Sequence, residues 1–242
     1  MISKRVYTLQ PSIFQDFDRN LDFIIAQLYE IPYGGILLAP EVALTGFAYQ
    51  RMEEASEFSK KATEKLLSAS EGKTFMTTMI EKKNKNFYNN FKVFHHGSII
   101  HKQAKSKLFS LGDEHLYFKE GDSDECVPFV IDGVKCGALV GFELRFLEMW
   151  NQMYDAEIIF IPAQWAKIRK MHFETLSRAL AIANQSFVIT SNPSNQQVEC
   201  GSAIITPYGL VHLNDHKHRI ELEIDLEEVV RMRKYIQTKR VN

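Results

Sequence analysis

Val134-Lys135-Cys136-Gly137-Ala138-Leu139-Val140-Gly141-Phe142-Glu143-Leu144-Arg145-Phe146 reads as a strand running into a helix. Such a junction exposes one side chain at the end of a sheet, and enzymes use it to present a nucleophile. Here the corner residue is Gly141, which has no side chain to present. Just upstream, segments 127–131 and 135–140 flank Asp132-Gly133, a strong turn signal, and are expected to form a hairpin. Downstream, the pattern predicts a helix over 146–154, a buried strand over 157–161 ended by Pro162, and a long helix over 168–185.

The rest of the chain continues this mixture. Residues 3–10 alternate apolar and polar side chains as a strand does. A helix is expected to open at Pro11-Ser12, because Phe14, Phe17, Leu21, Ile24, Ile25 and Leu28 fall three or four apart on one face. Tyr33-Gly34-Gly35 breaks it, and Ile36-Leu37-Leu38-Ala39, ended by Pro40, reads as a strand buried on both faces. A polar helix over 53–70 precedes strands at 74–81, 86–95 and 98–102, the last two joined by a turn at Gly97. Residues 109–124 are charged and loop-like. Strands at 187–191, 202–206, 210–213 and 219–224, with a turn at Pro207-Tyr208-Gly209, lead to a closing helix over 226–235. No linker, repeat or low-complexity segment divides residues 1–242, so one domain is expected, a layered α/β sandwich.

Composition narrows the class. The 242 residues are 45% apolar and 24% charged, an ordinary globular balance, and a chain of this size buries enough surface to need no staples. A formal net charge of -1 argues against a dedicated nucleic-acid binder. The basic residues Arg231, Arg233, Lys234, Lys239 and Arg240 read as a solvated helix end. Cys126, Cys136 and Cys200 are odd in number and lack CxxC spacing, which indicates neither a disulfide framework nor a zinc site. His95 and His96 are adjacent, so in a strand they point to opposite faces and no metal site is expected. Without a signal-peptide pattern or an apolar run near 20 residues, a soluble cytoplasmic protein is expected.

Three segments carry candidate chemistry. Glu41 follows Pro40 at the mouth of a buried strand, where a carboxylate can act as general base, although a helix cap or surface carboxylate is the plainer reading of it alone. Lys105 lies in Lys102-Gln103-Ala104-Lys105-Ser106-Lys107-Leu108-Phe109, where a pocketed lysine would stabilise an oxyanion and a solvated basic face is the ordinary alternative. Gly141 is the third, and a glycine there also suits a tight turn with positive φ.

Taken in order and at these separations, the segments resemble the nitrilase superfamily, the carbon–nitrogen hydrolases. The resemblance runs from the first strand to Ile224-Asp225-Leu226. It is carried by Pro40-Glu41-Val42-Ala43-Leu44-Thr45-Gly46-Phe47, by Lys105-Ser106-Lys107-Leu108-Phe109, and by Glu114-His115-Leu116-Tyr117-Phe118 with Gly121-Asp122. Pro162-Ala163-Gln164-Trp165, Ala181-Ile182-Ala183-Asn184-Gln185 and Gly201-Ser202 add to it. The family block Cys-Tyr-Asp-Leu-Arg-Phe-Pro-Glu is similar to Gly141-Phe142-Glu143-Leu144-Arg145-Phe146-Leu147-Glu148.

The resemblance implies a four-layer αββα sandwich, pairing of chains into a dimer or higher homo-oligomer, and no cofactor. It implies a small amide, N-carbamoyl compound or nitrile as substrate. Glu41 would take the thiol proton, Lys105 and the Phe142 backbone N–H would hold the oxyanion, and Glu114 would position lysine and substrate; Trp165 would line the pocket, with a core tryptophan the equal alternative. The departures matter more. Gly141 stands where the resemblance places the attacking cysteine, and loss of a nucleophile lowers turnover by roughly a millionfold in a well-studied protease. Cys136 lies five residues upstream, on the opposite strand face and roughly 16 Å along the chain, so it is not expected to substitute. Leu180 and Ala183 replace an arginine and a glutamate usual in the family, and Leu147 replaces a proline. The otherwise intact Glu41–Lys105–Glu114 set favours a disabled or engineered hydrolase over its rival, a natural pseudoenzyme that binds ligand without cleaving it.

Overall fold

The computed structural model describes residues 3–195 and 200–238. Its strands in chain order are β1 (Ser3–Leu9), β2 (Ile36–Leu38), β3 (Thr74–Lys83), β4 (Asn86–His95), β5 (Ser98–Ala104), β6 (Phe129–Ile131), β7 (Val134–Ala138), β8 (Ile158–Pro162), β9 (Phe187–Ser191), β10 (Ala203–Ile205), β11 (Val211–Leu213) and β12 (Arg219–Asp225). The helices are α1 (Phe17–Glu30), α2 (Met52–Ala69), α3 (Glu114–Tyr117), α4 (Leu147–Gln152), α5 (Lys170–Asn184) and α6 (Glu227–Tyr235). Two six-stranded mixed sheets run β12-β1-β2-β3-β4-β5 and β11-β10-β9-β8-β7-β6. Each has three parallel strands at its centre, β1-β2-β3 and β7-β8-β9.

Period-two patterning explains the layering, because successive strand residues face opposite sides. Val6, Ile36, Leu38, Met76, Ile158, Phe160 and Ile189 face the core between the two sheets. Their neighbours Tyr7, Leu37 and Phe75 pack outward under α1 and α2, while Ile159, Ile161 and Val188 pack under α4 and α5. The result is the expected α/β sandwich of four layers, helices outside and sheets inside.

Several local expectations are corrected. Helix α1 begins at Phe17 and not at Pro11-Ser12, because the Asp16 side chain accepts the Arg19 N–H at 3.1 Å and caps it there. Phe14 lies outside the helix, held by the Asn20 side chain, which bonds both its N–H and its carbonyl. The stretch 109–124 is not all loop, since α3 interrupts it. His95 and His96 do not take opposite strand faces. β4 ends at His95, and His96-Gly97 forms the two-residue connection to β5 with φ of +47° and +75°. That left-handed pair fits a type I′ hairpin turn, and it brings the two imidazole rings 4.0 Å apart. Asp132-Gly133 makes the matching turn between β6 and β7, with φ of +46° and +79°. Lys239 and Arg240 of the basic stretch lie outside the described residues. Among those described, no helix is long and apolar enough to cross a membrane.

Candidate active site

Glu41 follows β2 on a segment whose backbone is fixed from several sides. Thr77 donates its hydroxyl to the Pro40 carbonyl at 2.8 Å, and Thr78 accepts the Val42 N–H at 2.7 Å. The Asn20 side chain holds the Leu44 carbonyl at 2.9 Å. The Glu41 N–H itself donates to the Ala163 carbonyl just past β8, at 3.2 Å, so the residue sits where strand ends of both sheets meet.

Its carboxylate is buried and shared. Oε1 accepts hydrogen bonds from Asn89 on β4 at 2.7 Å and from the Lys105 ammonium at 2.8 Å. Lys105, 1% exposed, also reaches both oxygens of Glu114, at 2.8 and 2.7 Å. Glu114 in turn accepts the Phe109 N–H at 3.2 Å, which anchors α3 to the site. Burial raises the Glu41 carboxyl to about 7 against the opposing pull of Lys105, and the neighbouring Glu114 charge adds to the rise. Burial would lower the Lys105 ammonium, but Glu41 and Glu114 outweigh it and hold the group above its ordinary value. One carboxyl group is therefore poised to exchange a proton near neutrality beside a permanent cation.

The corner at Gly141 faces this group. β7 ends at Ala138, and a short 3₁₀ turn runs over Gly141–Arg145. Glu143 locks the turn: its Oε2 accepts the Val140 N–H at 2.6 Å, and its Oε1 accepts the Ser106 N–H at 2.7 Å and the Ser106 hydroxyl at 3.0 Å. Burial raises the Glu143 carboxyl despite those bonds. Gly141 has φ of +49°, a left-handed backbone that favours glycine. A Cβ built there would lie 3.2 Å from Glu41 Cδ, and the three heavy atoms nearest to it all belong to the Glu41 carboxylate. No sulfur is among them. Cys136 lies between the sheets, and burial pushes the Cys126 thiol up to about 12. All three cysteines are buried and free.

Glu41, Lys105, Glu114, Phe142 and Trp165 line one pocket with Phe109, Arg145, Gln164 and Arg169. Its volume is about 30 Å³, room for one or two water molecules. Phe142 packs on Phe109 with ring centres 5.0 Å apart, and its amide opens the 3₁₀ turn, where backbone N–H groups lack partners from a preceding turn. Trp165 is both wall and core: it lines the pocket and packs on Phe173 at 5.4 Å. The Arg145 guanidinium lies over Trp165 at 4.6 Å, and that of Arg169 over Phe109 at 4.9 Å. Among the described residues neither arginine is paired with a carboxylate. Burial, and then Arg169, lower the Arg145 value.

Sequence reasoning missed Asn89, Glu143, Arg145 and Arg169 as site residues. Asn89 carried a signal, a polar side chain mid-strand with Phe87 and Phe91 two positions either side on the same strand face. Glu143 and Arg145 were in view within the block after Gly141, whereas Arg169 had no local signal.

The carbon–nitrogen hydrolase family profile matches residues 27–234. The 2-oxoglutaramate amidase of Bacillus subtilis (strain 168) is 31% identical over 233 residues, covering 90% of this chain and 88% of that one. Among solved structures, a carbon–nitrogen hydrolase from Helicobacter pylori G27 superposes with a TM-score of 0.87 at 19% identity, over 96% of this chain and 92% of that one. An amidase mutant from Nesterenkonia sp. AN1, with an acetamide moiety added covalently at its active-site cysteine, superposes with a TM-score of 0.81 at 19% identity, over 94% and 92% of the two chains.

Proposed function

The chain belongs to the carbon–nitrogen hydrolase family, and from that premise we propose a site built for acyl transfer from a small amide that also carries a carboxylate, with the attacking atom missing at Gly141. One observation carries the reading. A side chain at 141 would meet the Glu41 carboxylate first, so closely that the carboxylate must shift to admit it, and Glu41 is the group there able to take a proton near neutral pH. The Nesterenkonia amidase carries its acetamide adduct on an active-site cysteine, which is in keeping with a sulfur missing here.

In a cysteine-bearing form, Glu41 removes the thiol proton as sulfur bonds to the amide carbon. Lys105 and the Phe142 N–H stabilise the oxyanion, and Glu114 positions Lys105. Collapse breaks the C–N bond while Glu41 returns the proton to the departing ammonia. Water then cleaves the thioester, restoring the thiol and releasing the acid. Arg145 and Arg169 supply the cations for a distal substrate carboxylate, a preference in keeping with the B. subtilis relative. Such a ligand requires those two side chains to swing outward, because the cavity as shaped is smaller than the ligand. Without sulfur at 141, this chain binds such an amide or its acid and turns it over very slowly.

Pairing of chains belongs to the same proposal. Leu147, Val230, Tyr235 and Ile236 are exposed apolar side chains on the helix after the corner and on the closing segment, which suits burial against a second copy.

The test is Gly141→Cys, assayed for ammonia release from 2-oxoglutaramate beside the Gly141→Cys/Glu41→Gln double variant. Ammonia release that depends on Glu41 is expected. A folded single variant that releases no more than the double variant refutes the catalytic reading. If 2-oxoglutarate nevertheless binds, the chain is a ligand-binding protein on a hydrolase scaffold.

A further inference from the structure

The two type I′ turns, one from each sheet, face each other away from the pocket. Asp132 Oδ1 lies 3.2 Å from His95 Nε2 and 3.6 Å from His96 Nε2. One ligand atom from each of the three residues falls within 4.8 Å of the others. We propose that His95, His96 and Asp132 form a binding site for a divalent cation of the Zn²⁺ class, one that staples the two sheets together. It stands apart from the proposed catalytic function. His95 lies six residues along β4 from Asn89, the partner of Glu41, or roughly 20 Å.

The spacing fits a small tetrahedral ion. Metal–nitrogen and metal–oxygen bonds of about 2.0–2.2 Å at tetrahedral angles separate ligand atoms by about 3.3–3.5 Å. Two imidazoles and one carboxylate suit Zn²⁺ or Co²⁺ and disfavour Mg²⁺ or Ca²⁺, which want oxygen ligands. A water completes the set. The outer contacts that orient metal ligands are present as well. The Thr74 hydroxyl meets His95 Nδ1 at 2.8 Å and turns Nε2 towards Asp132. The Lys4 ammonium binds Asp132 Oδ2 at 2.9 Å, leaving Oδ1 for the ion. Tyr33 packs on His96 with ring centres 5.8 Å apart.

The experiment uses the full chain stripped of metal. Zn²⁺ is titrated calorimetrically and Co²⁺ by visible absorption, against His96→Asn and Asp132→Asn. Both variants keep a residue type that tolerates a left-handed turn. Expected are one Zn²⁺ per chain, the intense visible bands of tetrahedral Co²⁺, and a Tm gain of about 5–10 °C at a hundredfold excess over Kd. Each variant weakens binding by tenfold or more. A weak octahedral Co²⁺ spectrum, an unchanged Tm, or binding that survives either substitution overturns the proposal; in the last case the ion sits elsewhere. Either variant, if folded, suffices for the comparison.

Discussion

Replacing Lys105 by methionine keeps the aliphatic stem and deletes the ammonium that joins two buried carboxylates. Lys105 Nζ lies 2.8 Å from Glu41 and 2.7 Å from Glu114, and the lysine side chain is 1% exposed. Removing one partner of a buried ion pair costs about 3–5 kcal/mol, because the charge left behind is neither solvated nor matched. The cost depends on pH in a direction the site dictates. The folded Glu41 value of about 7 exceeds its unfolded 4.5, so its contribution to stability is fully present below 4.5 and is lost as pH rises through 7. Without Lys105, which lowers that value, the loss deepens and its upper edge moves to higher pH. The Lys105→Met deficit is therefore smaller at pH 5, where Glu41 is mostly protonated, and largest at pH 8. For a chain of this size 1 kcal/mol corresponds to about 2–4 °C, so a Tm drop of about 6–20 °C is expected at pH 8. Thermal and urea unfolding at both pH values measure it. A deficit under about 1 kcal/mol, or one equal at the two pH values, refutes the buried-triad account.

Glu41→Gln deletes the titrating group, so the parent chain loses stability relative to this variant between pH 5 and 8, by a few kcal/mol; a pH series of unfolding midpoints checks it, and a flat difference counts against the raised Glu41 value. Arg145→Gln and Arg169→Gln each weaken 2-oxoglutarate binding by about tenfold in calorimetry while leaving a neutral amide unaffected; unchanged affinity would move carboxylate recognition elsewhere.

The layers were legible because alternation and helical spacing are local. The strands of Ile36–Leu38 and Ile158–Pro162 are buried on both faces, as their apolar runs implied. The convergence of Glu41, Lys105 and Glu114 was legible through motifs in order, and the structure brings those side chains together. Asn89 and Arg169 were not, because their roles depend on chain segments far away in sequence. Asn89 reaches Glu41 only through the pairing of β4 with β3 and β5, and its carbonyl accepts the Lys105 N–H at 2.8 Å. The start of α1 was misplaced because apolar spacing continued back to Phe14, while one aspartate side chain decided the boundary. His96 was misjudged because strand alternation was extended one residue too far, into a turn whose positive φ swings the ring back.

Glu143 gives the corner its mechanical character. Its two oxygens grip the residue after Lys105 with one and the residue before Gly141 with the other. The loops leaving the two sheets are thereby keyed together like the halves of a dovetail. If one sheet slid past the other by a single residue step, both bonds to Ser106 would tear at once, so the gap between the ammonium and the corner is held to tolerance.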